Sequence, residues 1–302
     1  MKKWMKIGGG IVAGLVVLLV AGVLFMARGQ AIALVHNPPE GRDVIDRTPA
    51  EYNLKYEDLT LTAADGLHLA AWYIPSQNGA AVIAVHGFKA DREEMLNEAD
   101  MLARHGYGVL LIALRAHDHS EGEVITFGLN EVRDLEAAYQ YLLARPEVDP
   151  ERIGVLGNSM GGTVALLYTA QNPEIKAVVS QATFASLEKE VGTGIKRLLG
   201  LPPFPFAPLI QFFAEQEVGF RARDVSAEAH IGEISPRPVF LMQGGADTLV
   251  PPESGQILYD AAGQPKELWF DPALEHVRFD TERAAEYEQR VTAFFDQYLL
   301  QK

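Results

Sequence analysis

Cysteine is absent from this 302-residue chain. The absence excludes a disulfide framework, a thiolate nucleophile and a zinc site with cysteine ligands. It also leaves no cysteine to carry a lipid anchor. The length suits one large domain or two small ones.

Positive charge is scarce: 26 lysines and arginines stand against 40 acidic residues, for a formal net charge of −14. The first 27 residues hold three lysines and no acid, so the rest of the chain carries −17. A body this acidic is repelled by nucleic acid and by anionic lipid surfaces. We therefore expect no nucleic-acid partner, and we expect any membrane attachment to come from a dedicated segment.

Such a segment lies at the amino terminus. Residues 7–27 form an uncharged, mostly apolar run of 21 residues, which is long enough to cross a bilayer as a helix. The run is longer than the usual core of a secretory signal, although residues 31–33 (Ala-Ile-Ala) keep a cleaved signal open as the alternative. Three lysines precede the run and one arginine closely follows it. This asymmetry predicts a cytoplasmic amino terminus and an extracytoplasmic body at the cell membrane.

The remaining chain alternates continuous apolar runs with helical patterns, which predicts a mostly parallel sheet covered by helices on both sides. Two alternating runs joined at Asp65-Gly66 predict a hairpin before it. A stretch at about 184–234 interrupts this alternation and is rich in leucine and phenylalanine, which suggests a cap over one edge of the sheet. The predicted layout is a tail (1–6), a transmembrane helix (7–27), a linker (28–50) and a main α/β domain (51–302) that includes the cap.

A serine with very small neighbours indicates the chemistry. In "GVLGNSMGG", Gly157 and Gly161 flank Ser159 at two residues' distance, between an apolar strand and a helical stretch. A tight strand-to-helix corner needs small residues there and raises the serine hydroxyl at the end of the strand. The motif alone is weak evidence, so its partners decide its value.

A serine hydroxyl needs a base to become a good nucleophile, and the base in turn needs an orienting acid. Where this corner is catalytic, the acid and then the histidine follow the serine in the chain. His276 lies in a loop after an apolar strand, whereas His230 lies in the predicted cap. Asp247 directly follows another strand and is favoured over Asp271, which shares the loop of His276.

Two backbone N–H groups must stabilise the oxyanion of an acyl transfer. Met160 follows the serine and is the first candidate. Phe88 in "HGFKAD", after the apolar strand "AVIAV", is the second, with Gly87 letting the chain bend. His86 is expected to hold this loop by hydrogen bonds.

Together, "HGFKADREE", "LRAHDHSEGEVITFG", "GVLGNSMGGTVAL", "QGGADTLVPPESG" and the late histidine resemble the α/β-hydrolase superfamily over residues 55–302. Within it, the chain resembles membrane-anchored bacterial Bem46-like or serine-aminopeptidase-like hydrolases. The resemblance implies an eight-stranded sheet, Ser159, Asp247 and His276 as the triad, and Phe88 and Met160 as oxyanion donors. It implies no cofactor.

The chain departs from the usual Asp-x-Arg-Gly-His-Gly after the fourth strand, because Ala113 and Asp118 replace the Asp and the second Gly. The local "HDH" (117–119) contains metal-ligand residue types, but no further ligand cluster is visible and no metal is expected. The leading interpretation is a membrane-anchored serine hydrolase acting on small-molecule carboxylic esters. A peptidase, amidase or thioesterase with the same triad and a tethered binding module without activity stay open, and the sequence leaves the oligomeric state undetermined.

Overall fold

The computed structural model of the chain describes residues 2–301, with their side chains except those of residues 2–9 and Leu198. Met1 of the predicted tail and Lys302 of the predicted main α/β domain lie outside the described residues. The side chains of the lysines in the predicted tail, and that of Leu198 in the predicted cap, are likewise outside the description.

A single eight-stranded sheet forms the centre of the body, in the order β1-β2-β4-β3-β5-β6-β7-β8. β1 and β2 are antiparallel, β2 pairs antiparallel with β4, and all later pairs are parallel. The hairpin predicted at Asp65-Gly66 joins β1 to β2, and Gly66 has a φ of +90°. The strands are β1 (Glu57–Thr62), β2 (His68–Ile74), β3 (Ala81–Val85), β4 (Gly108–Ile112), β5 (Ile153–Asn158), β6 (Ala177–Gln181), β7 (Val239–Gly244) and β8 (Lys266–Asp271).

Helices cover both faces of this sheet, as the alternation of strands and helices predicts. The helices are α1 (Lys2–Val35), α2 (Leu96–Arg104), α3 (Val132–Leu143), α4 (Met160–Gln171), α5 (Leu187–Leu199), α6 (Pro203–Val218), α7 (Ala227–His230), α8 (Glu253–Ala261), α9 (Phe279–Glu282) and α10 (Ala284–Phe295). α3, α4 and α8 pack in the core on one face, and α2 and α10 pack on the other. The predicted α/β-hydrolase fold class is confirmed.

The cap lies between β6 and β7 and consists mainly of α5 and α6. The last part of the stretch predicted as the cap does not stand above the sheet. Ala227, Ile231 and Ile234 are buried in the core beside the sheet. The part that stands above the sheet is therefore shorter than the break in the sequence pattern suggests.

α1 does not end where the apolar run ends. It continues to Val35, so the first part of the predicted linker (28–50) is helical. From residue 10 to residue 26 the helix is almost wholly exposed, whereas Ala27, Ala31 and Val35 are buried. These three residues recur every four positions and so share one helix face. Ala27 and Ala31 pack against α6 of the cap.

Candidate active site

Ser159 occupies a strained corner between β5 and α4, with a φ of +53° and a ψ of −119°. The two flanking positions must be glycine because a side chain there would collide with neighbouring backbone atoms. A Cβ on Gly157 would lie 2.3 Å from the carbonyl oxygen of Gly161, and one on Gly161 would lie 2.3 Å from that of Val85. Gly162 has a related role, because a Cβ there would lie 2.0 Å from Oγ1 of Thr183. The corner thus fits closely between β3 and the segment after β6, and it projects the serine from the carboxyl end of β5.

Ser159, His276 and Asp247 form one hydrogen-bonded chain. Ser159 Oγ lies 2.9 Å from His276 Nε2, and His276 Nδ1 lies 2.8 Å from Asp247 Oδ2. The carboxylate of Asp247 is fully buried, while the imidazole remains partly exposed. The three residues follow β5, β8 and β7, whose parallel carboxyl ends meet at one edge of the sheet. This geometry allows the imidazole to accept the serine proton while its other nitrogen is held by a carboxylate.

The loop after β7 holds Asp247 in a fixed orientation. Its Oδ1 accepts hydrogen bonds from the backbone N–H groups of Leu249 and Val250, each at 2.8 Å. Its Oδ2 accepts a further hydrogen bond from Nε2 of Gln243 at 3.2 Å, beside the one from His276. The carboxylate is therefore ready to orient the imidazole without moving.

The two rival residues considered from the sequence have other partners. Asp271 Oδ2 accepts a hydrogen bond from Arg283 Nε at 2.8 Å, and its Oδ1 accepts one from the N–H of Ala273. His230, at the end of α7, is exposed, and its Nδ1 lies 3.0 Å from Oε1 of Glu233 in the turn that follows. Neither residue belongs to the hydrogen-bonded chain at Ser159.

The backbone N–H groups of Phe88, on the loop after β3, and of Met160, at the start of α4, lie beside Ser159, and neither has an acceptor within residues 2–301. The Met160 N–H is the first of α4, so it has no partner within the helix. By contrast, the Gly87 N–H donates to Glu94 Oε2 at 2.9 Å. These groups leave two free donors beside the serine, as an oxyanion hole requires.

Glu94 was not among the residues that sequence reasoning selected. It lines the same cavity as Ser159, and burial raises the pKa of its carboxyl to about 7, with the nearby His276 opposing that rise. Its hydrogen bond holds the loop that carries Phe88. The only available signal was an acid seven residues after the glycine of "HGFKADREE", which is also ordinary for the start of a helix.

Two buried histidines hold the Phe88 loop from its other side. His86 accepts a hydrogen bond from the Leu114 N–H at 3.1 Å, and His117 accepts one from the Lys89 N–H at the same distance. Burial lowers the pKa of both imidazoles, that of His86 to about 4, so both are neutral and able to accept at Nε2. The expected structural role of His86 agrees with these contacts.

The "HDH" segment is organised around hydrogen bonds within the protein. Asp118 pairs with the buried guanidinium of Arg92, with Oδ2 and Nε 2.6 Å apart. His117 points inward to the Phe88 loop, whereas His119 is largely exposed. The three potential ligands therefore do not converge on a single point.

An apolar cavity of about 340 Å³ opens beside Ser159 and His276. Its wall comes largely from α5 and α6, namely Leu187, Val191, Ile195, Leu199, Ile210, Ala214 and Val218. The phenylalanines of α6 do not line this cavity. Phe206 and Phe213 pack in the cluster that joins the cap to α1, and Phe204 and Phe212 are exposed. The cap is apolar towards the site, through the aliphatic residues of α5 and α6 together with Phe184 and Phe220.

Comparison with known proteins agrees with this architecture. The sequence profile of a family described as "alpha/beta hydrolase fold" matches residues 80–230, a stretch that includes Ser159 and ends before Asp247 and His276. The chain is 30% identical over 256 residues to the alpha/beta hydrolase domain-containing protein WAV2 of Arabidopsis thaliana, covering 81% of this chain and 79% of that protein. It is 29% identical to the uncharacterized protein YfhR of Salmonella typhi, covering 76% of each.

A solved structure is also similar. The esterase Pf2001 of Pyrococcus furiosus superposes with a TM-score of 0.75 at 31% sequence identity, covering 88% of this chain and 98% of the esterase. The esterase domain of a Rhodothermus marinus protein superposes with a TM-score of 0.60 at 22% identity, which shows a common fold.

Proposed function

This chain belongs to the alpha/beta hydrolase family, and we propose that it cleaves carboxylic esters through an acyl-enzyme formed on Ser159. The hydrogen-bonded chain from Ser159 through His276 to Asp247, at the mouth of an apolar cavity, is the observation that carries the proposal. The similarity to the Pyrococcus furiosus esterase adds support.

Acylation follows from the positions of these groups. Ser159 Oγ attacks the ester carbonyl carbon while His276 Nε2 takes the hydroxyl proton, and Asp247 stabilises the imidazolium. The carbonyl oxygen becomes an oxyanion that the N–H groups of Phe88 and Met160 stabilise. The bond to the alkoxy group then breaks, and His276 gives its proton to the departing alcohol.

Deacylation uses the same groups. Water attacks the acyl carbon as His276 removes one of its protons, and the same oxyanion site is occupied a second time. The bond to Ser159 Oγ breaks, the hydroxyl regains its proton from His276, and the carboxylic acid leaves. The cycle consumes one water per ester, and its steps need no cofactor.

The competing activity is cleavage of aminoacyl amides. Glu190 lies in the cavity wall, and burial raises the pKa of its carboxyl to about 7. An acid in this place could pair with the ammonium group of an aminoacyl substrate. The largely apolar lining favours the ester over that substrate.

A substrate panel separates these activities. The full chain in detergent micelles is assayed with p-nitrophenyl esters, acyl thioesters and aminoacyl p-nitroanilides. We expect the highest kcat/KM for esters. A preference for aminoacyl amides that Glu190→Gln abolishes would replace the esterase proposal with a peptidase. The panel requires the full chain because a truncated protein starting at residue 28 would lack Ala27, which packs against the cap.

We propose that residues 7–27 anchor the enzyme in the cell membrane as a single pass, with residues 1–6 in the cytoplasm and the catalytic domain outside. One helix of the described chain is long and apolar enough to span a bilayer, over Gly10–Val35. The lysines before the run and the exposure of residues 10–26 support this proposal.

A further inference from the structure

The end of α1 forms part of the wall of the active-site cavity. Leu34 and Val35 line the same space as Ser159 and His276. The Nζ of Lys89, next to the proposed oxyanion donor Phe88, donates to the carbonyl oxygen of Ala33 at 2.7 Å. The proposed anchor is therefore continuous with the substrate site, without a flexible tether between them.

α1 and α6 pack side by side and run in the same direction. His36, just after α1, lies 3.0 Å from Glu217, near the end of α6. Ala27 and Ala31 pack in one cluster with Ala207 and Ile210 of α6. The three alanines of this cluster have small side chains, which allow two helices to approach closely. The beginning of α6 must then lie towards the beginning of α1, beside its exposed apolar part.

This arrangement brings part of the cap to the level of the proposed bilayer. The regular part of α6 begins just after Phe204, whose backbone is non-helical (φ −104°, ψ 134°). Counting back along α6 from the pair of His36 and Glu217 places this start of the helix beside about residue 24 of α1, within the apolar run, with Phe204 next to it. The side chain of Phe204 is 82% exposed, similar to the 83% of Phe25 on α1. Phe204 thereby extends the exposed apolar surface of α1, and a contiguous apolar surface marks a contact with a membrane or with another protein.

The cavity extends from the triad towards that surface. Its lining follows one face of α5, from Leu187 and Glu190 near Asp247 to Leu199 at the other end. The helix has 13 residues and is about 20 Å long. Leu199 packs in the same cluster as Ala27 of α1. The apolar wall thus extends from Ser159 to the region around Ala27, where the exposed apolar part of α1 ends.

Basic side chains lie near this end of the cavity. Lys196 and Arg197 are exposed in the last turn of α5, close to Leu199. Arg28 is exposed next to Ala27. In a body of formal net charge −17, these residues place positive charge where phosphate headgroups of a bilayer would lie.

From these contacts we propose that the cavity is filled from the bilayer, and that the substrate is a membrane-resident ester with a long acyl chain. The acyl chain enters between α1, α6 and the end of α5 and lies along α5, with its ester group at Ser159. Phe204 enters the leaflet beside this entrance. The inference rests on the proposed esterase activity and on the proposed anchor.

The test separates delivery from catalysis. The full chain is reconstituted into vesicles of phosphatidylcholine and phosphatidylglycerol. The hydrolysis of p-nitrophenyl palmitate is measured with the ester in the same vesicles or in separate, protein-free vesicles. Soluble p-nitrophenyl butyrate measures the chemistry alone. We expect the palmitate ester to be cleaved much faster when it shares the bilayer with the enzyme.

Phe204→Ser should lower palmitate hydrolysis in shared vesicles by about tenfold or more, because the ring no longer enters the leaflet. It should leave butyrate hydrolysis unchanged. Phe270→Ser is the matched control, because Phe270 is an exposed phenylalanine on β8 that does not line the cavity, and it should change neither rate.

The outcomes are distinguishable. The inference would be overturned if butyrate is cleaved but palmitate is cleaved equally fast in shared and separate vesicles. It would also be overturned if Phe204→Ser leaves the palmitate rate unchanged. Both outcomes would leave the esterase proposal intact. Absence of cleavage of both esters by the wild type would overturn the esterase proposal, and the inference with it.

Discussion

At the scale of single residues, two aspartates near the carboxyl ends of neighbouring strands have different partners. Asp247 bonds to His276, whereas Asp271 bonds to Arg283. Asp247→Asn should lower kcat by about 10⁴-fold, because the imidazole loses the charge that orients it. Asp271→Asn should change kcat little. Steady-state kinetics on a p-nitrophenyl ester measures both, and the reverse order would assign the orienting acid to the loop of His276.

A buried carboxyl outside the triad makes stability depend on pH. Glu98 is buried beside Asn158 and Tyr287, and burial together with the nearby Asp280 raises the pKa of its carboxyl. When the pKa is raised in the folded state, the unfolded chain loses this proton first as the pH rises. The folded state is therefore destabilised as the pH increases above about 4.5, the usual value for glutamate.

Glu98→Gln should remove this cost while keeping an oxygen to accept the hydrogen bonds. Its gain in free energy of unfolding over the wild type should be larger at pH 8 than at pH 5, as measured by chemical denaturation. Glu267→Gln, at an exposed position on β8, is the control and should show no such trend. A gain for Glu98→Gln that is equal at both pH values would contradict the assignment.

At the scale of elements, the corner between β5 and α4 depends on the lack of side chains. A Cβ on Gly161 would meet the carbonyl oxygens of Val85 and His86 at 2.3 and 2.4 Å. Gly161→Ala should lower the free energy of unfolding by about 1–3 kcal/mol or more and reduce activity. Gly192→Ala is the control, because Gly192 lies in α5 and a Cβ added there would have no neighbouring atom within 4 Å. This substitution should be neutral or should raise the free energy of unfolding by up to about 1 kcal/mol. Two variants of equal stability and activity would show that the corner is not crowded.

The cap shows where sequence patterns stop being informative. Its apolar composition predicts burial, but composition does not say which neighbour each residue meets. Phe213 packs towards α1, whereas Ile210 of the same helix packs there and also lines the cavity. The partner of this cap is the last part of α1, where the sequence predicts a linker because Arg28 and several prolines follow the apolar run. The contact between two distant segments could not be inferred from either segment alone.

A chain-length series tests the cap wall. For p-nitrophenyl esters, kcat/KM should rise by roughly fourfold for each added methylene until the cavity is full, since each buried methylene contributes about 0.8 kcal/mol. Ile210→Ala should flatten this rise, because Ile210 lines the cavity. Phe212→Ala should not, because Phe212 is exposed. A flat series in the wild type would show that the cavity does not hold the acyl chain.

At the scale of the whole molecule, the proposed anchor in α1 predicts where the enzyme is found. The protein should remain in membranes after carbonate extraction, and protease should reach its body from outside in spheroplasts. Cleavage as a signal after Ala33 would remove Ala27 and Ala31, which pack against α6. A soluble mature form beginning near Leu34 would therefore contradict both the anchor and the role of α1 in the cavity.

Much of the molecule's organisation follows from its sequence, for one physical reason. Parallel strands read as continuous apolar runs, and their carboxyl ends meet at one edge, so residues after β3, β5, β7 and β8 can be expected to meet. Ser159, Asp247 and His276 could be selected in this way. Glu94 could not, because its role depends on a hydrogen bond to a neighbouring loop and not on a strand end.

Reaction with a fluorophosphonate probe tests the central claim most directly, because the probe forms a covalent bond with an activated serine. The wild-type chain should be labelled at Ser159, as located by mass spectrometry of its peptides. Ser159→Ala should abolish labelling and lower kcat for a p-nitrophenyl ester by at least about 10³-fold. Ser226→Ala, which removes a hydroxyl that does not line the cavity, should leave both unchanged. Labelling or ester hydrolysis that persists in Ser159→Ala would contradict the account.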